Sequence, residues 1–152
     1  MESGPPSAGV PVRLGSTHPL LFAVDDEPNN LELIERALRG SYRIRTFDDP
    51  LRALSAAKAE PPDVVLTDYR MPHLNGLALL RSLKSVGVTA VALLVTAFGD
   101  TEDVLKASRD EQLFVRILPK PWKASELRAQ VDLAVGLYNL RITKRPSTPP
   151  RS

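Results

Sequence analysis

Five side chains with reactive groups follow apolar segments of the chain. Asp25 and Asp26 come directly after one apolar segment, and Asp68 ends a second. Thr96 ends a third segment, and Lys120 closely follows a fourth. If these segments are parallel strands of one sheet, their carboxyl ends lie at the same edge, where open α/β sheets place their chemistry. The sequence therefore predicts a polar site in which three carboxylates, a hydroxyl and an ammonium meet.

The types of these side chains indicate a particular chemistry. Carboxylates that lie close together repel one another, which raises their pKa values or recruits a cation. A cluster of oxygen ligands without cysteine or an evident histidine suits Mg²⁺, or alternatively Mn²⁺. A carboxylate beside Mg²⁺ can attack phosphorus and become an aspartyl phosphate. Lys120 and the Thr96 hydroxyl would then neutralise or hydrogen-bond the phosphoryl oxygens.

Each of these residues also has a simpler interpretation. Asp25 and Asp26 could cap a helix, and Asp68 could begin a turn. Thr96 belongs to a type that is common in strands, and a single lysine such as Lys120 is usually a solvated surface charge. The joint placement of all five at four strand ends favours the functional interpretation.

The apolar pattern predicts the elements that position the site. Residues 62–68 form a nearly continuous apolar run, which is typical of a strand buried on both faces. Residues 41–47 alternate, as an edge strand does. Apolar residues at helical spacing follow each strand, with Asp49 and Asn75 as N-caps and Gly40 as a stop. Strands are predicted over 19–24, 41–47, 62–68, 89–96 and 114–118, with the fourth helix over 101–111 and the fifth ending near residue 140. This alternation predicts an α/β fold, a parallel sheet with helices on both faces.

Composition narrows the class of protein. A chain of 152 residues with 43% hydrophobic and 25% charged residues is typical of one soluble domain. The absence of cysteine excludes disulfides, a thiol nucleophile and a cysteine-based zinc site. The apolar runs are too short to span a bilayer, and the first residues lack the basic start and apolar core of a signal peptide. We therefore expect a cytoplasmic protein without a membrane partner.

Charge and composition divide the chain into three parts. Residues 1–18 are rich in proline, glycine and serine, carry no net charge and are predicted to be disordered. Residues 19–140 form the predicted domain with a net charge of −2, and residues 141–152 form a Pro/Ser-rich tail with a net charge of +4. Such a tail could contact nucleic acid or acidic lipid, but a solvated linker end is the commoner role. Nucleic acid is therefore not a predicted partner.

Taken together, the motifs resemble the response-regulator receiver domain of two-component signalling. The matching segments are 24–27 (VDDE), 66–72 (LTDYRMP) with Gly76, 94–97 (LVTA) and 118–122 (LPKPW). They occur in order and span about residues 19–140. The resemblance implies a doubly wound, five-stranded parallel sheet in the flavodoxin-like order 2-1-3-4-5.

The resemblance also implies a role for each residue of the phosphoryl site. Asp68 would accept a phosphoryl group from the phosphohistidine of a sensor histidine kinase or a phosphotransfer protein. Thr96 would be the switch hydroxyl, and Lys120 the lysine that contacts the phosphoryl group. The domain would catalyse its own phosphorylation and lose the group by hydrolysis, as a signalling protein rather than an enzyme with a separate substrate.

A magnesium site is implied by the same resemblance. Asp26 and Asp68 would bind Mg²⁺ through their side chains, with Asp25 often acting through water. The backbone carbonyl of Arg70 would be a further ligand, which leaves the Arg70 side chain free to vary.

One position departs from the family pattern. The family usually has tyrosine or phenylalanine three residues before the lysine, and this chain has Ile117. The aromatic ring normally swings inward as the threonine moves towards the phosphoryl group. We expect the chemistry at Asp68 to survive, whereas the usual coupling to the surface of the fourth helix and fifth strand lacks its aromatic residue.

Three alternatives differ in class from the predicted phosphorylatable receiver. Ile117 supports a receiver-like interaction module that signals without phosphate, although the five intact site residues argue against it. A metal-dependent phosphatase usually needs a general acid where this chain has Arg70. Nucleic-acid binding would rest on the basic tail.

No output domain is recognisable, so the chain is either a single-domain regulator or a piece of a longer protein. Pairing of two copies on phosphorylation, through the fourth helix, fifth strand and fifth helix, is common in the family.

Overall fold

Strands and helices alternate along the whole of the described chain. The computed structural model describes residues 18–109, 111–114 and 116–144. The strands in these residues are β1 (Leu20–Val24), β2 (Arg43–Phe47), β3 (Val64–Asp68), β4 (Val91–Thr96) and β5 (Arg116–Pro119). The helices are α1 (Pro28–Leu38), α2 (Pro50–Ala59), α3 (Gly76–Ser85), α4 (Thr101–Ala107) and α5 (Ala124–Lys144).

All strand pairs are parallel, and the order in the sheet is β2-β1-β3-β4-β5. The predicted order and the predicted doubly wound α/β class are therefore confirmed. The chain moves outward from β1 to β2 and then returns to place β3 on the other side of β1. Such a reversal opens a crevice at the carboxyl ends of β1 and β3, and that is where ligands bind in sheets of this kind.

Two apolar layers cover the sheet, one on each face. β1, β3 and β4 are buried along their whole length, as predicted for β3 from its continuous apolar run. Because successive side chains of a strand point to opposite faces, Leu21 and Leu66 pack with residues of α1 and α5. Phe22 and Val65 pack with residues of α2 and α3 on the other face. β2 is an edge strand and is largely exposed, which confirms its predicted position.

Local signals in the sequence set several helix ends. The side chain of Asp49 accepts a hydrogen bond from the backbone of α2, and that of Asn75 accepts one from the backbone of α3. Both predicted N-caps are confirmed, and each satisfies an N–H group that the helix itself cannot pair. Gly40 lies just beyond α1 with a φ of 93°, a conformation that glycine adopts without steric cost.

Several boundaries differ from the predictions, and β1 to β4 each begin one or two residues later than predicted. α4 ends at Ala107 rather than Glu111, because Arg81 of α3 donates to the Ala107 carbonyl and binds the Glu111 carboxylate at 2.9 Å. β5 begins at Arg116 rather than residue 114, and α5 continues to Lys144. The predictions for residues 1–17 and 145–152 fall outside the described residues. Within the described residues, none of the helices has the length and apolarity needed to cross a membrane.

Candidate functional site

The carboxyl ends of β1 and β3 bring the three predicted carboxylates together. Asp25 and Asp26 follow β1, and Asp68 is the last residue of the neighbouring β3. One oxygen atom from each of the three carboxylates lies within 4.8 Å of the others. Asp25 and Asp68 are buried, whereas Asp26 is exposed. A single divalent cation could therefore contact all three groups while remaining accessible from solvent.

Hydrogen bonds at the start of α1 fix the orientation of Asp25. Its Oδ1 accepts from the backbone N–H of Glu27 at 2.9 Å, and its Oδ2 accepts from the Asn30 side-chain amide at 3.1 Å. The same Asn30 amide group donates to the Glu27 carboxylate at 2.8 Å. Asn30 was not predicted from the sequence, although an amide one turn into a helix that follows two aspartates is a usable signal. Each oxygen of Asp25 keeps a lone pair for a cation or for a water molecule bound to it.

Lys120 reaches the same cluster from the other side of β3. Its Nζ lies 3.2 Å from Oδ1 of Asp68. Its backbone N–H donates to the Thr96 carbonyl at 2.7 Å, which fixes the turn after β5 against the end of β4. The structure therefore brings together Lys120 and the three carboxylates that were predicted from widely separated motifs.

Burial and charge alter the proton affinity of the cluster. Burial, together with the charge of Asp25, raises the pKa of Asp68 to about 6 even though Lys120 opposes the shift. Burial also raises the pKa of Asp25. Desolvation would lower the pKa of Lys120, but the hydrogen bond to Asp68 and the charges of Asp68, Asp25 and Glu27 together outweigh it and raise that pKa. One ammonium thus does not fully compensate the carboxylates, and a bound cation would lower the free energy of their ionised form.

Thr96 is fully buried at the end of β4. Its hydroxyl lies 3.3 Å from the hydroxyl of Thr101, the first residue of α4. The predicted switch hydroxyl is therefore at the predicted edge of the sheet, and its hydrogen bond leads directly to the start of a helix. Thr101 was not singled out from the sequence, because its pairing depends on the path of the β4–α4 loop.

Arg70 combines a position beside the carboxylates with a side chain that points to α4. It lies two residues after Asp68, and its Nε and Nη2 donate to the two oxygens of Asp100 at 2.7 and 2.9 Å. The family resemblance implies a role for the backbone carbonyl of Arg70 alone. The side chain has a defined partner, which the sequence did not reveal because the two residues are 30 positions apart.

Gly76 is required by the close approach of α3 to the end of β3. A Cβ atom at this position would lie 2.4 Å from the carbonyl oxygen of Asp68 and 2.7 Å from a methyl group of Leu94. The backbone N–H of Gly76 donates to the Tyr69 carbonyl at 2.7 Å. The glycine thus allows α3 to begin against the backbone that carries Asp68.

The donor set at this edge fits a hard divalent cation. It consists of carboxylate oxygens from two adjacent strands, with exposed Asp26 leaving a route to water. Mg²⁺ prefers oxygen ligands and usually retains several waters, and Mn²⁺ accepts similar ligands. Asp25, Asp26 and Asp68 are the residues whose side chains could hold such an ion.

An open parallel sheet with an acidic cluster at its switch point and a lysine directly after the last strand defines a recognised class of α/β signalling domain. The chain belongs to the response regulator receiver domain family, whose sequence model matches residues 21–132. It is therefore a signal-transduction domain of the kind found in two-component systems.

The chain is also similar to full-length response regulators that act as transcriptional regulators. The DNA-binding transcriptional regulator NtrC of Escherichia coli (strain K12) is 33% identical over 120 residues, which make up 78% of this chain and 25% of the relative. The hydrogenase transcriptional regulatory protein HoxA of Bradyrhizobium diazoefficiens is 27% identical over 121 residues, covering 80% of this chain and 25% of HoxA. The chain spans about a quarter of the length of these relatives.

Solved structures agree with this assignment. A response regulator receiver domain protein from Clostridium thermocellum has a TM-score of 0.71 at 25% identity, covering 81% of this chain and 98% of that one. The receiver domain of NtrX from Brucella abortus has a TM-score of 0.69 at 27% identity, covering 76% and 98% respectively.

Proposed function

We propose that this receiver domain accepts a phosphoryl group on Asp68 in a Mg²⁺-dependent reaction and thereby changes its contacts with other proteins. The observation that carries the proposal is the contact of 3.2 Å between Lys120 Nζ and Asp68 Oδ1 at the edge of the three-carboxylate cluster. A lysine at this distance can neutralise a phosphoryl group attached to Asp68 without a large movement.

The chemistry follows from the ionisation and position of Asp68. With a pKa of about 6, the carboxylate is mostly ionised at neutral pH and can act as a nucleophile. One of its oxygens forms a bond to phosphorus while the bond from phosphorus to the donor nitrogen or oxygen breaks, and the donor group leaves with that electron pair. Hydrolysis of the acyl phosphate later restores the carboxylate and releases inorganic phosphate.

The neighbouring residues have complementary roles in this proposal. Asp26, Asp68 and the backbone carbonyl of Arg70 would hold Mg²⁺, with Asp25 acting through a bound water. When bound, the ion would neutralise charge on the phosphoryl oxygens. Lys120 would neutralise another part of that charge. The Thr96 hydroxyl would donate to a phosphoryl oxygen and would have to leave Thr101 in order to do so.

The proposed partners follow from the same chemistry. A sensor histidine kinase or a histidine phosphotransfer protein would supply the phosphoryl group, because cleavage of a phosphorus–nitrogen bond provides a good leaving group. The signal would pass to a downstream protein or to an output domain, as the names of the transcriptional regulators among the relatives suggest. A phosphate-independent interaction module is the second candidate, because Ile117 stands where the family usually has an aromatic residue.

Intact mass spectrometry after incubation with acetyl phosphate and Mg²⁺ tests the proposal. We expect a gain of about 80 Da, the mass of one added phosphoryl group. The gain should be lost in Asp68→Asn and in the presence of a chelator. Asp132→Asn on α5 is the matched control, because it removes a carboxylate outside the cluster and retains an acceptor for Tyr42. A protein that binds Mg²⁺ but gains no mass would favour the interaction module instead.

A further inference from the structure

Asp100 occupies the N-cap position of α4 but does not cap the helix. Its backbone lies in the helical region, with φ −90° and ψ −16°, and its side chain accepts no hydrogen bond from the first turn. Both oxygens are instead engaged by Arg70. Asp49 and Asn75 at the starts of α2 and α3 have extended backbones and do cap their helices. Asp100 is thus a good capping residue that is held away from its helix.

We propose that Asp100 is a two-position carboxylate. In the resting position it is paired with Arg70 and α4 is uncapped. In the second position Arg70 has been released and Asp100 caps the first turn of α4. The coupling of this change to the site rests on the proposed function, because the event that would release Arg70 is phosphorylation of Asp68.

The two positions are geometrically distinct. Capping requires an extended backbone at Asp100, so the residue would have to rotate out of the helical region. That rotation changes the direction in which α4 leaves β4. The preceding loop can absorb it, since Gly99 already has a φ of 94° and the Phe98 side chain is 96% exposed. A local change at one carboxylate therefore moves a whole helix.

The two positions are also close in free energy. The Arg70 side chain is 70% exposed, so solvent screens its end of the pair, whereas the Asp100 side chain is only 10% exposed. Ion pairs with an exposed partner and side-chain caps each change an equilibrium by roughly two- to tenfold. A perturbation of similar size is enough to reverse the preference, which is the property a switch requires.

The site is connected to this element through two side chains. Arg70 follows Asp68 by two residues, and Thr96 contacts Thr101 at 3.3 Å. A phosphoryl group on Asp68 would bring additional negative charge and strong acceptor oxygens next to the loop that carries Arg70. It would also attract the Thr96 hydroxyl. Both changes weaken the contacts that hold the start of α4 in its resting position.

Hydrogen exchange at the backbone amides of Glu102 and Asp103 reports the cap, because these are the N–H groups that an N-cap side chain protects. The test compares wild type with Arg70→Ala, Asp100→Asn and Asp100→Ala, first without a phosphodonor. Arg70→Ala frees the carboxylate, and asparagine retains the ability to cap but loses the ion pair. We expect both variants to slow exchange by about three- to tenfold, whereas Asp100→Ala should not.

If the Arg70–Asp100 ion pair only stabilises the resting structure, its loss should accelerate exchange at these amides rather than slow it. If Arg70→Ala and Asp100→Asn accelerate exchange as Asp100→Ala does, the two-position proposal is overturned. Arg52→Ala, which removes an exposed arginine from α2, serves as the matched control and should leave α4 unchanged. These measurements need no phosphoryl group, so they decide the proposal even if Asp68 accepts none.

A second arm adds acetyl phosphate and Mg²⁺ and follows the same amides while mass spectrometry records phosphoryl uptake. Slower exchange in the phosphorylated wild type, but little further change in phosphorylated Arg70→Ala, would support the coupling. Uptake of the phosphoryl group without a change at these amides would overturn the coupling while leaving the proposed function intact. A failure of uptake itself would count against the proposed function alone.

Discussion

Replacing Asp68 with asparagine should stabilise the metal-free protein near neutral and alkaline pH. The structure places an ionised carboxylate at the end of β3, buried and close to Asp25, at a cost that Lys120 offsets only in part. Asparagine has nearly the same shape and carries no charge. The variant therefore removes electrostatic repulsion from the folded state while it leaves the packing of the strand end intact.

The size of the effect follows from the pKa of Asp68. Its value in the folded protein is about 6, compared with 3.8 for an unperturbed aspartate. This difference corresponds to about 3 kcal/mol at full ionisation, and because Asp25 and Asp68 titrate together we expect about 1–3 kcal/mol. Because the folded pKa is the higher one, folding favours the protonated form. The stability that the protonated Asp68 contributes is fully present below the unfolded pKa, and it is lost as the pH rises from 3.8 to about 6.

Urea unfolding of both proteins in a chelator, followed by circular dichroism, measures this difference. Asp68→Asn should be more stable than wild type at about pH 8 and close to it at about pH 3, below the unfolded pKa of the carboxylate. Added Mg²⁺ should stabilise wild type more than the variant. Asp132→Asn is again the control and should not show this pH dependence. If Asp68→Asn is less stable than wild type at the higher pH without metal, the carboxylate is stabilising in the fold and the electrostatic account is wrong.

Substitutions at three further positions, two of them with matched controls, test other parts of the structure. Lys120→Gln should raise the pKa of Asp68 further, because the Lys120 ammonium lowers it in the wild type. A carboxyl ¹³C NMR titration measures this pKa, and an unchanged value in the variant would contradict the prediction. Gly76→Ala should lower the free energy of unfolding by about 1–3 kcal/mol, since its Cβ would collide with the Asp68 backbone. Gly136→Ala in α5 is the control, because its Cβ would meet no atom within 4 Å and the change should stabilise the protein by up to about 1 kcal/mol. If urea unfolding shows equal effects for Gly76→Ala and Gly136→Ala, the packing argument is refuted. Asn75→Ala removes the N-cap of α3 and should lower the free energy of unfolding by about 1 kcal/mol in the same assay. Asn75→Asp retains a capping oxygen and should lower it less. Equal losses in the two variants would show that capping is not the cause.

The sequence predicts the sheet well because its signals are local. Continuous apolar runs identify the buried strands, the alternating run identifies β2 as an edge, and caps such as Asp49 and Asn75 lie next to the helices that they begin. The resemblance supplies the strand order, which apolar pattern alone does not determine. The close grouping of Asp25, Asp26 and Asp68 then follows from the parallel topology, because it brings the strand ends to one edge.

Contacts between distant residues explain what the sequence did not predict. The pairing of Arg70 with Asp100, and of Thr96 with Thr101, depends on how the loops after β3 and β4 fold against each other. The early end of α4 has a similar origin, since Arg81 of α3 binds the last carbonyl of the helix. No periodic pattern along one segment reports such contacts.

We propose Asp68, and no other carboxylate of the cluster, as the residue that accepts the phosphoryl group. Borohydride reduction of the phosphorylated protein converts an acyl phosphate into an alcohol, and tryptic peptide mapping locates the modified residue. Trypsin cleavage places Asp68 in the peptide of residues 59–70 and both Asp25 and Asp26 in the peptide of residues 14–36. Fragmentation of the first peptide in the mass spectrometer distinguishes Asp68 from Asp63. We expect modification at Asp68 alone, dependent on Mg²⁺. Modification in the 14–36 peptide or at Asp63, with Asp68 unmodified, would contradict the account.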